Sequence, residues 1–458
     1  MADLVAGLDA GFLLTETSTM PWHVLGILIL DPSTAPEPLT VSSVRRLIAA
    51  RLDDIEAFHK VVSPGPLGLW PRWSDGEVDL DWHVQAADLP ADADVADLER
   101  YAARLAEQPL DRSRPLWEVH VAEHLPDGQV AVIAKMHHAL ADGVTAIGIL
   151  AGLLDLEALP PGPATIDLPP PQPPTPPTLS DVPALVLKAG WSAGRAGVRA
   201  AERGLRAGRH SFGFMSARTS GHARLTHRRQ VALGAMSVDD IKSAKAAYGV
   251  TFNDIVLAAI TGAARGWLEA DHQLPSHALL ASVPVSIRSA DGDEPLRSRN
   301  QVSAIFVSLP VQVDDVAERV RLIGDDTARS KALHEEAGVT TLGDLAAVAP
   351  WRMLSALWRA AWWTGAMGKL PPAANLIVSS VPGPTVPLYL AGARLVGLHP
   401  IGPLVEGVPL NFTAVSLEHE VDIGVLSCPD LFPDVTDLAQ RLPHALDEII
   451  ARAPEVAR

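Results

Sequence analysis

Residues 129–154 read QVAVIAKMHHALADGVTAIGILAGLL. The run VAVIAKM (130–136) is short, apolar and rich in β-branched residues, as a buried strand is, while TAIGILAGLLDL (145–156) has the spacing of a helix. A strand that runs through a tight loop into a helix is a unit of α/β proteins, and here the loop carries His137, His138, Asp142 and Gly143. Outward from this unit, WHVLGILIL (22–30) and LWEVHVAE (116–123) read as further strands. The stretches 41–58 and 94–107 have helical spacing. Later in the chain, strands are expected at 277–286, 302–311, 375–381, 409–416 and 421–427, and helices at 237–248, 252–270, 315–337 and 434–452. Both halves mix the two element types, so the fold class is α/β with two domains of similar size.

The halves are separated by Pro160 to Pro183, where eleven of 24 positions are proline. Each proline lacks a backbone N–H, so this density excludes helix and sheet and predicts an extended, polyproline-like connection. The chain has 458 residues, 48% of them hydrophobic, and a net charge of -17. That acidic balance argues against a nucleic-acid binder, which must neutralise phosphates. A single cysteine, Cys428, excludes a disulfide framework and multi-cysteine zinc sites and fits a reducing compartment. The N-terminus does not read as a secretory signal, and no uncharged apolar run reaches the ~20 residues that cross a bilayer. The expected location is cytoplasmic, with peripheral contact to the inner membrane face or lipid droplets.

The two adjacent imidazoles are the strongest chemical signal. A neutral imidazole, with a pKa near ~6.5, can take a proton from an alcohol and return it to a leaving group at neutral pH. Neighbouring side chains on a loop diverge, so one histidine is expected to work and the other to pack. Asp142 could fix the loop or the ring orientation, and Gly143 permits close approach of a ligand to the backbone. The competing readings are a buried hydrogen-bonded pair and a metal site. Adjacent residues rarely converge on one ion, and HExxH is absent, so no metal is expected. Gly190-Trp191-Ser192-Ala193-Gly194 also fits the GxSxG elbow of serine hydrolases, but a match to HHxxxDG is about fifty-fold rarer by chance. The elbow moreover requires a preceding strand, and Ser192 follows the proline-rich segment instead.

HHALADG (137–143), with Pro115-Leu116-Trp117 before it and Asn253-Asp254 after it, resembles the bacterial wax ester synthase/acyl-CoA:diacylglycerol acyltransferase family of the chloramphenicol-acetyltransferase-like superfamily. The likeness continues through LDAGFLLTE (8–16), PWHV (21–24), PVSIRS (284–289), SSVPGP (379–384) and PLNFT (409–413), and so spans nearly the whole chain. Trp22 stands where that family usually has Met, and Ser380 where it usually has Asn; both positions are expected to bear on substrate preference. The resemblance implies two acetyltransferase-like domains with mixed sheets, at 1–159 and 211–458, and an active-site tunnel between them. Residues 160–210 form the linker and a crossover helix. It further implies transfer of a long-chain acyl group from acyl-CoA to diacylglycerol or a fatty alcohol, without a cofactor. His138 is then the base, Asp142 supports the loop through Arg288, and Asn253 is a polar group near the reacting centre.

Two segments are candidates for substrate or membrane contact. Arg195, Arg199 and Arg203 recur every four residues on one helical stripe, in a stretch (195–229) of nine arginines and one acid. Such a patch suits CoA phosphates or an anionic lipid surface, or is a solvated helix face. In 350–370, Trp351, Trp358 and Trp362 share a helical face suited either to a membrane interface or to a core. The alternatives to lipid acyl transfer are the same chemistry on a non-lipid acceptor, a hydrolase acting through Ser192, and a lipid- or CoA-binding protein without catalysis.

Overall fold

The structure is a computed structural model and describes residues 3–5, 7–64, 71–140, 148–149, 152–158, 224–270, 274–286, 302–337 and 374–453. The strands are β1 (Asp3–Leu4), β2 (His23–Asp31), β3 (Lys60–Pro64), β4 (Pro71–Asp75), β5 (Val84–Ala86), β6 (Trp117–Ala122), β7 (Val130–His137), β8 (Gln230–Ser237), β9 (Leu279–Ser286), β10 (Val302–Leu309), β11 (Leu376–Val381), β12 (Tyr389–Leu390), β13 (Ala393–Ile401), β14 (Leu410–Leu417) and β15 (Glu420–Ser427). The α-helices are α1 (Gly7–Thr15), α2 (Val41–Arg51), α3 (Leu80–His83), α4 (Val95–Glu107), α5 (Val238–Tyr248), α6 (Phe252–Ala270), α7 (Val316–Ala337) and α8 (Val435–Ala451).

Local chemistry sets these boundaries. Thr40 and Ser43 form a capping box at the start of α2, and Asp94 and Asp97 do the same for α4. Gly249 closes α5 in the left-handed region at φ 70°, its N–H donating to the Lys245 carbonyl. The helix expected over 41–58 stops at Arg51 and continues as short 3-10 turns at Leu52–Asp54 and Glu56–His59. Asp53 and Asp54 would put negative charge at the negative end of the helix dipole, which favours termination there. Arg51 is itself committed to a buried pair with Asp155, one guanidinium nitrogen lying 2.7 Å from both carboxylate oxygens.

Two six-stranded mixed sheets carry the fold, in the orders β12-β13-β2-β7-β6-β5 and β10-β9-β11-β14-β15-β8, and β1-β4-β3 form a small third sheet. The first large sheet is not confined to residues 1–159. β13 pairs antiparallel with β2 from Arg394↔Asp31 to Ile401↔Leu25, so a strand from the second half of the sequence completes the first sheet. One side of that sheet packs Leu28, Val119 and Val132 against Val44 and Ile48 of α2. The other packs Ile27 and Ile133 against Leu98 and Ala102 of α4, together with Val231 and Leu426 of the second sheet. The second sheet has its own core, in which Val307, Phe412 and Ile423 meet Ile255, Ile260, Val320, Leu438 and Leu442 of the helices.

The sheets meet through backbone as well as side chains. A Cβ on Gly424 would lie 2.1 Å from the Pro400 carbonyl oxygen, so only glycine permits this approach of β15 to β13. Beside it the Leu398 N–H donates to Asp422 at 2.6 Å. From α4, Glu99 accepts the Leu233 N–H at 2.9 Å and Glu107 the Arg229 N–H at 2.8 Å. Among the described residues no single helix is long and apolar enough to cross a membrane; α5 and α6 pass that test only as a pair bent by 103°. Most of α6 is buried in the core of the second half.

Candidate active site

β7 ends at His137, and the turn His137–Leu140 leaves the sheet, closed by the Leu140 N–H donating to the His137 carbonyl at 2.9 Å. The two histidines diverge there. His137 is buried, 1% exposed, and its Nδ1 accepts the Ala139 N–H at 3.0 Å. An Nδ1 that accepts is unprotonated, so the ring proton sits on Nε2. Nε2 faces the Glu16 carboxylate at 3.6 Å, slightly beyond hydrogen-bond length. Burial lowers the pKa of His137, the nearby Arg112 adds to this, and Glu16 opposes it without cancelling it. Burial pushes Glu16 the other way, but His137 and Arg112 outweigh it and hold that carboxyl below its usual range. Arg112 pairs with Glu16 and also donates to the Leu13 carbonyl at 3.0 Å.

His138 is half-buried and lies against the C-terminal end of α1. Its backbone N–H donates to the Trp22 carbonyl at 2.8 Å. Its ring is 4.4 Å from that of Phe12, centroid to centroid, and 6.3 Å edge-on from that of Trp22. Trp22 adopts φ 51°, a strained conformation for a bulky residue, and is held in it by its indole N–H donating to the Thr15 hydroxyl at 2.9 Å. The unusual residue of PWHV is therefore a wall of the His138 environment.

Behind this turn the packing includes buried polar side chains. His23 lies in register with His137, 6.1 Å away ring to ring, and its Nε2 accepts the Leu110 N–H at 3.3 Å. Burial holds His23 well below the ordinary histidine pKa, and the charge of Lys135 adds to the effect. The fully buried Lys135 ammonium donates to the Gln108 carbonyl at 2.8 Å and faces Glu118 at 3.4 Å. The Pro115-Leu116-Trp117 block is support: the Leu116 carbonyl accepts the His137 N–H at 3.0 Å, and Trp117 stacks between Phe58 and His83.

Asn253 is the second residue of α6, half-buried, with an Oδ1 that accepts no hydrogen bond. Among the described residues no hydrogen bond joins it to His138. Its neighbour Asp254 caps α6 through Thr251, whose hydroxyl donates to it at 2.7 Å. Ser380 lies on β11, in register with Ala414 of β14. Asn411 of PLNFT donates to the Pro403 carbonyl at 2.8 Å and accepts from Thr413 at 2.8 Å, so it braces a loop. Cys428 is fully buried. No group of three or more His, Cys, Asp or Glu suited to hold a metal ion occurs among the described residues. Asp142, Gly143, Ser192, Arg195, Arg199, Arg203, Arg288 and the Trp-rich 350–370 lie outside the described residues. The sequence reading did not single out Glu16, Arg112 or His23. Glu16 was detectable only as an acid closing the apolar run GFLL, since its partner His137 is far along the chain.

Comparison with known proteins gives the family and the fold. Residues 5–256 match the wax ester synthase/diacylglycerol acyltransferase catalytic domain, and residues 299–450 match the WS/DGAT C-terminal domain. The Mycobacterium tuberculosis protein named "Probable diacyglycerol O-acyltransferase tgs2" is 33% identical over 463 residues, covering 98% of each chain. Among solved structures, the wax ester synthase/diacylglycerol acyltransferase from Marinobacter aquaeolei superposes with a TM-score of 0.71 at 24% identity, covering 98% of this chain and 99% of that one. The first condensation domain of the CDA synthetase shares the fold at a TM-score of 0.56 and 16% identity, covering 100% of this chain and 99% of that one. With both family domains matched and a full-length relative at 33% identity, this chain belongs to the wax ester synthase/diacylglycerol acyltransferase family.

Proposed function

We propose that the protein is an O-acyltransferase that moves a long-chain acyl group from acyl-CoA to the hydroxyl of a diacylglycerol or a fatty alcohol. The observation that carries the reading is the division of labour at the end of β7. A neutral His137 braces the turn, and this leaves His138, half-buried beside Phe12 and Trp22, as the imidazole for chemistry. Family membership supplies the reaction class.

In the proposed step His138 takes the proton of the acceptor hydroxyl as the oxygen attacks the thioester carbonyl. The C–O bond forms, the tetrahedral intermediate collapses with loss of the C–S bond, and the same proton passes to the departing CoA thiolate. Atoms and charge balance without an acyl-enzyme. The thioester supplies the activation, so the chemistry calls for no metal or redox cofactor. Asn253 or a backbone N–H is proposed to stabilise the oxyanion. Asp142, paired with Arg288, is proposed to hold the loop, and Gly143 to admit the substrate. The arginines at 195, 199 and 203 would meet CoA phosphates or an anionic lipid surface. The enzyme would then work at the periphery of a membrane or lipid droplet, where its acceptors reside.

The test is CoA release from palmitoyl-CoA by the purified full-length protein, with dioleoylglycerol, hexadecanol or no acceptor. Acceptor-dependent release that falls at least ~10²-fold in a folded His138→Ala variant is expected. Release that survives the substitution would remove His138 as the base, and release independent of acceptor would turn attention to Ser192. Cosedimentation with anionic vesicles, expected for wild type and reduced in an Arg195/Arg199/Arg203 triple Ala variant, checks the peripheral location.

A further inference from the structure

We infer that Glu16, paired with Arg112, is a positioning residue that fixes the tautomer of His137 and through it the backbone turn presenting His138. The inference rests on the acyl-transfer reading only in its effect on turnover; the relay itself is a statement about hydrogen bonds. The Ala139 N–H can donate to His137 only while Nδ1 is bare, which places the ring proton on Nε2. The buried Nε2 stands 3.6 Å from the Glu16 carboxylate, the acceptor nearest its proton, and on this inference the carboxylate favours this tautomer and ring orientation. Turned about its Cβ–Cγ bond, or carrying its proton on Nδ1, the ring would leave the Ala139 N–H without an acceptor.

The same short segment also holds the second imidazole. Arg112 ties Glu16 to the Leu13 carbonyl, Phe12 packs on the His138 ring, and Thr15 anchors Trp22, whose carbonyl accepts the His138 N–H. Phe12, Leu13, Thr15 and Glu16 thus form one rigid surface against the turn, with Glu16 as its only charge. Among the described residues no hydrogen bond or ion pair joins Glu16 to His138, so the role inferred for it is orientation and not proton transfer to substrate.

The experiment uses the full-length protein with 15N-labelled histidine. The His137 ring signals are identified by their loss in His137→Asn. In wild type they should show a pyridine-like Nδ1 and a protonated Nε2. Glu16→Ala should mix the two tautomers and lower kcat at least ~10-fold, with KM for palmitoyl-CoA within ~2-fold. Glu16→Gln, whose amide oxygen still accepts the Nε2 proton, should restore the single tautomer and return kcat to within ~5-fold of wild type. An unchanged His137 spectrum in Glu16→Ala, or kcat within ~2-fold of wild type in that variant, overturns the inference. Equal losses in the Ala and Gln variants, with one tautomer kept in both, overturn it as well. If His138→Ala keeps full turnover, the acyl-transfer reading fails instead, and the His137 spectra still decide the relay.

Discussion

His137 and His138 are adjacent in sequence, but the end of β7 gives them different chemistry. The buried ring is held neutral by desolvation and spends its Nδ1 on the backbone, whereas the half-buried ring meets two aromatic rings, one tilted and one edge-on. The HHxxxDG spacing made the pair legible in the sequence, and adjacency on a loop led to the expectation that the two rings diverge, as they do. Its partners were not legible, because Glu16 and Arg112 are brought to His137 by tertiary packing and carry no local periodic signal. Trp22 stood out only as a departure from a pattern. Its consequence, a side chain edge-on to His138 with φ 51°, needed coordinates. Trp22→Gly would relieve the backbone strain yet lose the wall. We expect a smaller drop in melting temperature than for a Trp→Gly change at an unstrained position, together with altered acceptor preference in the CoA-release assay.

At the scale of elements, periodicity worked where burial is one-sided or complete. The expected helices at 237–248, 252–270, 315–337 and 434–452 fall on Val238–Tyr248, Phe252–Ala270, Val316–Ala337 and Val435–Ala451. It overextended α2, because the apolar spacing persists through residues that the chain uses in 3-10 turns. The end of α2 is instead marked by the Arg51–Asp155 pair, with side chains only 7% and 3% exposed. Asp155→Ala should leave the guanidinium buried without its counter-ion and cost about 3–5 kcal/mol, readable as a shift in the urea midpoint at unchanged m-value. By contrast Gly249→Ala, at the left-handed end of α5, should cost about 1–2 kcal/mol and leave kcat unchanged.

For the whole molecule, the division into two α/β halves was legible, but the partner of each strand was not. The strand ARLVGLHPI (393–401) was not among those expected from the sequence, and periodicity says nothing of whether a strand joins the sheet nearest in sequence or crosses to the other. The seam created by this crossing is expected to respond to pH. Burial raises the pKa of Asp422 to about 7, so the folded state holds a proton that the unfolded state releases near pH ~4, and stability falls as pH rises between them. Burial lowers His399 on β13 to about 4, so there the unfolded state binds the extra proton and stability rises up to pH ~6.5. The two slopes, each up to about 1.4 kcal/mol per pH unit, oppose each other over much of that range. Asp422→Asn retains an acceptor for the Leu398 N–H and removes one slope. Its melting temperature should climb more steeply than that of wild type from pH 4.5 to 6.5, and should exceed wild type at pH 8.

The crossing strand also bears on how the protein comes into being. During synthesis β2 and β7, with the histidine turn at the end of β7, leave the ribosome long before β13, and until then one edge of β2 has no neighbour to receive its amides. The first half of the chain therefore cannot finish as a unit of its own, and a fragment ending before residue 389 would carry an open, strongly apolar sheet edge prone to self-association. The sheet whose β7 ends in the His138 turn is complete only once β13 has joined it, so a prematurely ended polypeptide presents that turn from an unfinished sheet.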